Sequence, residues 1–220
     1  MPFKAFLLCL PFLLAPSLAA AQEPAAPPAP LATPAATAPV DPENVLVLDL
    51  STGGRVRIQL RPDLAPSHTE RVKTLARQGF YNGVIFHRVI EGFMAQTGDP
   101  TGTGQGGSEL PDLKAEFNAY PHLRGTVSMA RASSSDSANS QFFIMLLPRF
   151  SLDRKYTAFG RVIGGMEYVE AIPRGEPPAN PARIVQASVE ADGKASPAPL
   201  PAPSTIRAMT ADELNAPLKN

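Results

Sequence analysis

Hydrophobic and polar positions change period several times along the chain. Over residues 55–60, Val56, Ile58 and Leu60 alternate with Arg55, Arg57 and Gln59, which is the period of a strand with one wet face. The run before it, 45–50, is almost wholly apolar, and Ser51-Thr52-Gly53-Gly54 separates the two. Together they predict a hairpin. A period of three to four then takes over. Val72, Leu75, Ala76 and Phe80 form one stripe, predicting a helix that opens at Pro66 and is closed by Gly79. Ser67 and Glu70 stand at capping-box spacing, and His68 beside them is expected to be solvated. Residues 84–90 and 93–97 are two β-prone runs around Glu91-Gly92, predicting strands joined by a tight bend. Further strands are predicted at 125–130, 140–145, 159–163 and 183–190, with a short helix at 165–171. Many short strands and two helices over 45–190 make an all-β dominated pattern of barrel or sandwich type. At roughly 150 residues, this segment can bury a substantial core.

Composition changes the picture at the two ends. Of 220 residues 25 are proline, and they cluster towards the termini, where they argue against core. Residues 1–21 start with a positive charge at Lys4, continue apolar through 5–14, and end in Ala19-Ala20-Ala21. This is the layout of a secretory signal peptide cut after Ala21, and its apolar part is too short to span a bilayer. Cys9 is the only cysteine, so the mature chain would carry neither a disulfide nor a thiol nucleophile. A periplasmic or secreted location is expected. Residues 22–44 are a Pro/Ala-rich linker of extended character, and 191–220 form a second such tail in which 205–214 could make a short helix. The net charge of zero argues against a dedicated nucleic-acid binder.

Candidate chemistry centres on Arg88, a cation inside an apolar run. Charged groups are rarely buried unless paired, so Arg88 lies on a wet face or has a task. Strand alternation places Phe86 and Arg88 on one face, and Met94 and Gln96 on another shared face. The run Thr101-Gly102-Thr103-Gly104-Gln105-Gly106-Gly107 lacks the βαβ context and lysine of a phosphate loop, and is expected to be a flexible surface loop. Three scattered histidines without cysteine partners make no zinc pattern. His87 has no nucleophile-elbow serine to serve and is expected to be packed.

Several blocks together carry a resemblance. They are Phe86-His87-Arg88-Val89-Ile90, Gly92-Phe93-Met94-Ala95-Gln96-Thr97-Gly98-Asp99, Gly125-Thr126-Val127-Ser128-Met129-Ala130, Asn139-Ser140-Gln141-Phe142-Phe143-Ile144, Leu152-Asp153 and Phe159-Gly160-Arg161-Val162. In this order and spacing they resemble the cyclophilin family of peptidyl-prolyl cis–trans isomerases, with loops similar to those of a bacterial exported member. The resemblance implies a closed eight-stranded antiparallel β-barrel capped by two α-helices, with the active groove on its outer face. It implies that Arg88 is catalytic, with Gln96 as its orienter. Phe93, Met94, Phe143 and Leu152 would wall a proline pocket, Gln96 and Gln141 would stand beside the groove, and Ala130 and Arg131 would lie where the strand edge pairs with substrate backbone.

Three positions depart from the family's common pattern. Tyr156 stands where many members have histidine, and Ser151 where tryptophan or phenylalanine is frequent, with Phe150 adjacent to fill in. Arg131 replaces a common asparagine, placing a cation that would favour acidic or extended segments. The resemblance implies no cofactor and no metal. The expected partners are proline-containing unfolded or flexible polypeptides, not nucleic acid, and the mature chain would be a monomer outside the membrane. The competing readings are a proline-binding chaperone or an envelope scaffold with little catalysis.

Overall fold

The computed structural model describes residues 40–197. The expected signal peptide, nearly all of the linker and most of the C-terminal tail lie outside the described residues.

The first hairpin forms where the alternation predicts it. β1 (Val45–Leu50) pairs antiparallel with β2 (Gly54–Leu60), in a register running from Val45 opposite Gln59 to Leu50 opposite Gly54. Val56, Ile58 and Leu60 are buried while Arg55, Arg57 and Gln59 are not. Helix α1 (Pro66–Arg77) follows, with Val72, Leu75 and Ala76 buried, and Gly79 takes up a left-handed φ of +73° just beyond its end. Then come β3 (Arg88–Ile90), β4 (Met94–Thr97), β5 (Thr126–Met129), β6 (Phe142–Met145), β7 (Ala158–Gly164), the short α2 (Met166–Glu170) and β8 (Ile184–Val189).

The eight strands form one antiparallel sheet in the order β3-β4-β6-β5-β7-β2-β1-β8, curved as a half-barrel. The expected closed barrel is not what the ladder shows. Its edge strands β3 and β8 do not pair with each other; the chain before β3 is tied to the start of β8 by a single bridge, Ile85 to Arg183, and by backbone bonds from Gly83 N to Ile184 O at 2.7 Å, Ile184 N to Val84 O at 2.9 Å and Phe86 N to Ala182 O at 2.8 Å. The reason is local. The expected strand at 84–90 is regular only from Arg88 onward. Because the backbone leaves strand geometry at Phe86 and His87, the alternation fails there. Phe86 turns into the core while Arg88 faces a surface cavity, so the two do not share a face.

β6 explains why there are two hydrophobic clusters. Its four residues are all buried, but successive side chains point to opposite faces. Phe142 and Ile144 enter the main core, where Tyr81, Phe142 and Phe159 meet edge to face. Phe143 and Met145 enter a second, smaller cluster with Met94 on the opposite face of the sheet.

The start of α1 differs from expectation. Ala65 is the N-cap and Ser67 makes no side-chain cap. Glu116, far along the chain, accepts hydrogen bonds from Ser67 N at 3.1 Å and His68 N at 3.2 Å, and lies 2.6 Å from His68 Nδ1. His68 is fully buried, not solvated. Burial lowers the pKa of its ring. For Glu116, burial alone would raise the pKa, but the hydrogen bonds from His68 and Ser67 outweigh it and the net shift is downward. The pair is a neutral imidazole donating to a carboxylate, which satisfies helix N–H groups that have no partner within the helix.

Candidate active site

The second cluster is the floor of a surface cavity of about 130 Å³. That is close to the size of a cavity that holds a benzene-like ring, about 150 Å³. Strand register assembles its walls. Arg88 lies opposite Gln96, Ile90 opposite Met94, and Gln96 in turn opposite Phe143 on β6. Gly92, with φ of +67°, allows the tight bend that brings β3 back onto β4. Arg88, Met94, Gln96 and Phe143 therefore converge with Phe93 from the bend. Ala130 and Arg131 enter from the end of β5, and Leu152 and Tyr156 from the segment beginning with the 3₁₀ turn Phe150–Leu152. Met94 and Phe143 are buried. Phe143 meets Tyr156 edge-on at 5.7 Å and stacks on His122 at 6.3 Å.

Every residue lining this cavity is among those expected from the sequence. Gln141 lies next door, in a more polar groove of about 540 Å³ that shares Gln96, Ala130 and Arg131 with the cavity. The glycine-rich run forms part of that groove and is pinned, not loose. Asp99, fully buried, accepts bonds from Thr101 N at 2.7 Å, Gly104 N at 2.6 Å and Gly106 N at 3.1 Å, and from the Thr101 hydroxyl at 2.7 Å. Burial alone would raise the Asp99 pKa; these donors outweigh it and hold the carboxyl at about 2.

The expected link between Gln96 and Arg88 is not made. Gln96 Nε2 donates to Gln141 Oε1 at 2.9 Å, and Gln141 Nε2 donates to the carbonyls of Gly104 at 3.1 Å and Gly106 at 2.8 Å. The amides thus run away from Arg88 and tie the sheet to the glycine-rich loop. Arg88 is instead bonded through Nε to Glu176 Oε2 at 2.7 Å, and its side chain is 41% exposed. Glu176 was not singled out by the sequence. Its distance along the chain from Arg88 leaves no local signal for the contact.

Two further expectations are corrected. Arg131 does not stand free to hold an acidic segment. Its Nη1 donates to the carbonyls of Ala132 and Ser133, its Nη2 to that of Lys155, and its guanidinium lies over the Tyr156 ring at 4.7 Å. Phe150 does not fill in for Ser151: it is 64% exposed, and neither residue lines the cavity. Arg149, also unanticipated, lies over the Phe93 ring at 4.9 Å. His87 is packed, as expected.

A hydroxyl–imidazole–carboxylate chain, Ser128 to His122 to Asp153, lies behind Phe143 with both links at 2.8 Å. Ser128 and His122 are wholly buried, so no substrate reaches the hydroxyl. Asp153 also accepts from His122 N at 2.9 Å. The chain therefore fastens the turn that carries Leu152.

The arrangement is an aromatic- and thioether-floored cavity of ring size, with a permanently charged donor at its mouth and a polar groove alongside. Comparisons with known proteins agree with that chemistry. Residues 47–189 match the family model for cyclophilin type peptidyl-prolyl cis–trans isomerases. A probable peptidyl-prolyl cis–trans isomerase of Brucella suis is 48% identical over 170 residues, covering 70% of this chain and 86% of the relative. A peptidyl-prolyl cis–trans isomerase-like 1 protein of Aspergillus fumigatus is 41% identical over 157 residues, covering 67% of this chain and 96% of the relative. A cyclophilin crystal structure from Hirschia baltica superposes with a TM-score of 0.64 at 30% identity, covering 70% of this chain and 76% of that one. A Cryptosporidium parvum cyclophilin type isomerase, crystallised in the presence of the dipeptide Ala-Pro, gives 0.62 at 30% identity, covering 66% and 98%. On this sequence match, fold and cavity, the chain belongs to the cyclophilin-type peptidyl-prolyl cis–trans isomerase family.

Proposed function

We propose that this isomerase accelerates rotation about Xaa–Pro bonds in exported polypeptides, with the proline ring seated on Met94 and Phe143 and Arg88 as the catalytic donor. Resonance makes the peptide C–N bond partly double, with a barrier of about 18–20 kcal/mol. Uncatalysed exchange takes tens to hundreds of seconds. At the twisted transition state that resonance is lost, and the proline nitrogen becomes a hydrogen-bond acceptor. A guanidinium suits the donor role because it stays charged at any working pH and needs no proton transfer.

The contact exists chiefly in the transition state, so it raises the rate more than the affinity. A charge-assisted hydrogen bond contributes roughly 1.5–3 kcal/mol net, which is about ten- to a hundredfold in rate. The rest comes from holding the ring still while the acyl side turns, over an apolar floor of Met94 and Phe143 that strengthens the donor's pull. Phe93, Leu152 and Tyr156 close the cavity sides. Gln96, Ala130, Arg131 and Gln141 border the path of the peptide along the polar groove. The observation that carries this reading is Arg88 itself. It stands half-exposed beside a ring-sized cavity with an apolar floor, and among the described residues its one side-chain bond is made through Nε.

The test is a proline-peptide exchange assay on the purified protein and on Arg88→Ala. The variant is expected to lose at least tenfold in kcat/KM. Equal rates for the two proteins would sink the assignment of Arg88.

Export rests on the sequence alone: the layout of residues 1–21 supports a cleaved signal, with 22–44 and 191–220 as spacers around the domain. N-terminal sequencing of the mature protein from a periplasmic or culture fraction is expected to begin at Gln22. Recovery of uncut protein from the cytoplasm alone would remove this part of the reading.

A further inference from the structure

We infer that Glu176 is a positioning residue for the isomerase reaction, holding the Arg88 guanidinium by its inner nitrogen so that both outer nitrogens are presented to the bound Xaa–Pro bond. The inference rests on the reading of Arg88 as the catalytic donor.

Three observations carry it. The Glu176 carboxylate accepts from Arg88 Nε at 2.7 Å, and no other described side chain pairs with this cation. Neither Nη of Arg88 donates to another described residue, while Arg88 lines the ring-sized cavity. The segment bearing Glu176 is also locked to the strand bearing Arg88. Val89 N donates to Gly175 O at 2.8 Å, and Gly175 N to Val89 O at 2.9 Å. Gly175 itself has φ of +148°, and a Cβ there would lie 2.6 Å from Pro178 Cα, so only glycine fits the turn that delivers the carboxylate. Carboxylate and guanidinium thus sit on neighbouring residues of two chain segments registered by reciprocal backbone bonds.

The physical role follows from the flexibility of arginine. A half-exposed guanidinium on a long stem samples several rotamers, and freezing it at the moment of reaction subtracts from the rate. A charge-assisted bond to Nε fixes the plane of the group in advance and leaves the two Nη donors free. Gln96, on the strand opposite, makes no bond to Arg88; its Nε2 donates to Gln141 Oε1. An exposed ion pair of this kind adds little to stability. Removing it should therefore appear in turnover and not in folding.

The experiment measures kcat and KM for Xaa–Pro exchange by NMR line shape on the whole protein as parent, Glu176→Ala, Glu176→Gln, Arg88→Ala and the double variant Arg88→Ala/Glu176→Ala. Glu176→Ala is expected to lower kcat about three- to tenfold with KM nearly unchanged, and to leave Tm within about 2 °C of the parent. Glu176→Gln keeps an acceptor oxygen and should recover part of the loss. In the Arg88→Ala background the Glu176→Ala change should have no further effect, which a general structural role would not predict. Parental kcat in Glu176→Ala, a faster rate, or an equal fold-loss in both backgrounds overturns the proposal. Failure of the two levels is distinguishable. A parent protein without exchange activity, or one matched by Arg88→Ala, removes the reading of Arg88 and this proposal with it. An active, Arg88-dependent parent with an unaffected Glu176→Ala removes this proposal alone.

Discussion

The guanidinium carbon of Arg131 lies over the Tyr156 ring, 4.7 Å from its centroid. At the same time it is anchored to the carbonyls of Ala132, Ser133 and Lys155. It is a strut between two loops that wall the cavity, and both of its outer nitrogens already donate to carbonyls. The cation–π contact is worth about 0.5–1 kcal/mol, and the carbonyl bonds are exposed and partly replaceable by water. Arg131→Ala is therefore expected to cost about 1–2 kcal/mol, a fall in Tm of roughly 3–6 °C for a domain of this size, read by thermal unfolding.

The same geometry predicts substrate behaviour. If Arg131 were a free cation, peptides with an acidic residue before proline would be turned over faster than neutral ones, and the preference would vanish in Arg131→Ala. With the guanidinium occupied, parent and variant should show the same ratio of kcat/KM for acidic over neutral peptides. A parental acid preference abolished by the substitution would show that the side chain swings free in solution.

The start of α1 offers a clean contrast between a local and a distant cap. Glu116 satisfies Ser67 N, His68 N and the buried His68 Nδ1, whereas the Ser67 side chain makes no cap. Glu116→Ala should destabilise by about 1–3 kcal/mol, because it leaves a buried ring nitrogen and helix donors unpaired. Ser67→Ala should stay within about 0.5 kcal/mol of the parent. Urea unfolding of the two variants measures both. A reversed order would restore the capping box that the spacing of Ser67 and Glu70 suggests.

That contrast shows where sequence reading stops. The strands were legible because their apolar residues alternate or run continuously, as in Val56-Arg57-Ile58 and Phe142-Phe143-Ile144. The cavity was legible because the resemblance named residues whose strands then aligned, Arg88 opposite Gln96 and Gln96 opposite Phe143. Partner choice was not legible. Gln96 and Arg88 are neighbours across the ladder, yet the amide turned to Gln141 and the cation to Glu176. Hydrogen-bond partners are decided by which groups the tertiary fold brings within bonding distance, and Glu116, Glu176 and Lys155 arrive from remote segments. The extended run expected at 84–90 failed for a related reason: Phe86 is drawn into the main core, and that bends the chain out of the regular period.

Asp99 sets a pH dependence. Its carboxyl is held at about 2 in the folded protein against roughly 3.9 in an unfolded chain. The folded value is the lower one, so its stabilising effect is fully present above about pH 4 and is lost as pH falls towards 2. Asp99→Asn, which cannot accept as many bonds from Thr101, Gly104 and Gly106, should be less stable than the parent at pH 6. The gap in urea midpoint should narrow between about pH 4 and pH 2. A gap independent of pH over that range would mean that the variant acts by packing and not through the carboxylate.

The two glutamines give the last prediction, because they connect the sheet to the groove and not to the donor. Gln141 takes a bond from Gln96 and gives bonds to the carbonyls of Gly104 and Gly106. Replacing it by leucine keeps the bulk but leaves these groups unpaired, so the glycine-rich wall of the groove loses its tie to β4. Contacts along that wall act on bound peptide whether or not the Xaa–Pro bond is twisted, so they contribute to ground state and transition state alike. Their loss raises KM and spares kcat. Gln141→Leu is expected to raise KM about two- to tenfold, the equivalent of one ordinary hydrogen bond, with kcat within about twofold of the parent. Arg88→Ala should do the reverse. Line-shape analysis over a range of peptide concentrations separates the two constants. A fall in kcat at constant KM for Gln141→Leu would place this glutamine with the donor, and would mean that the Gln96–Gln141 pair rearranges towards Arg88 when peptide is bound.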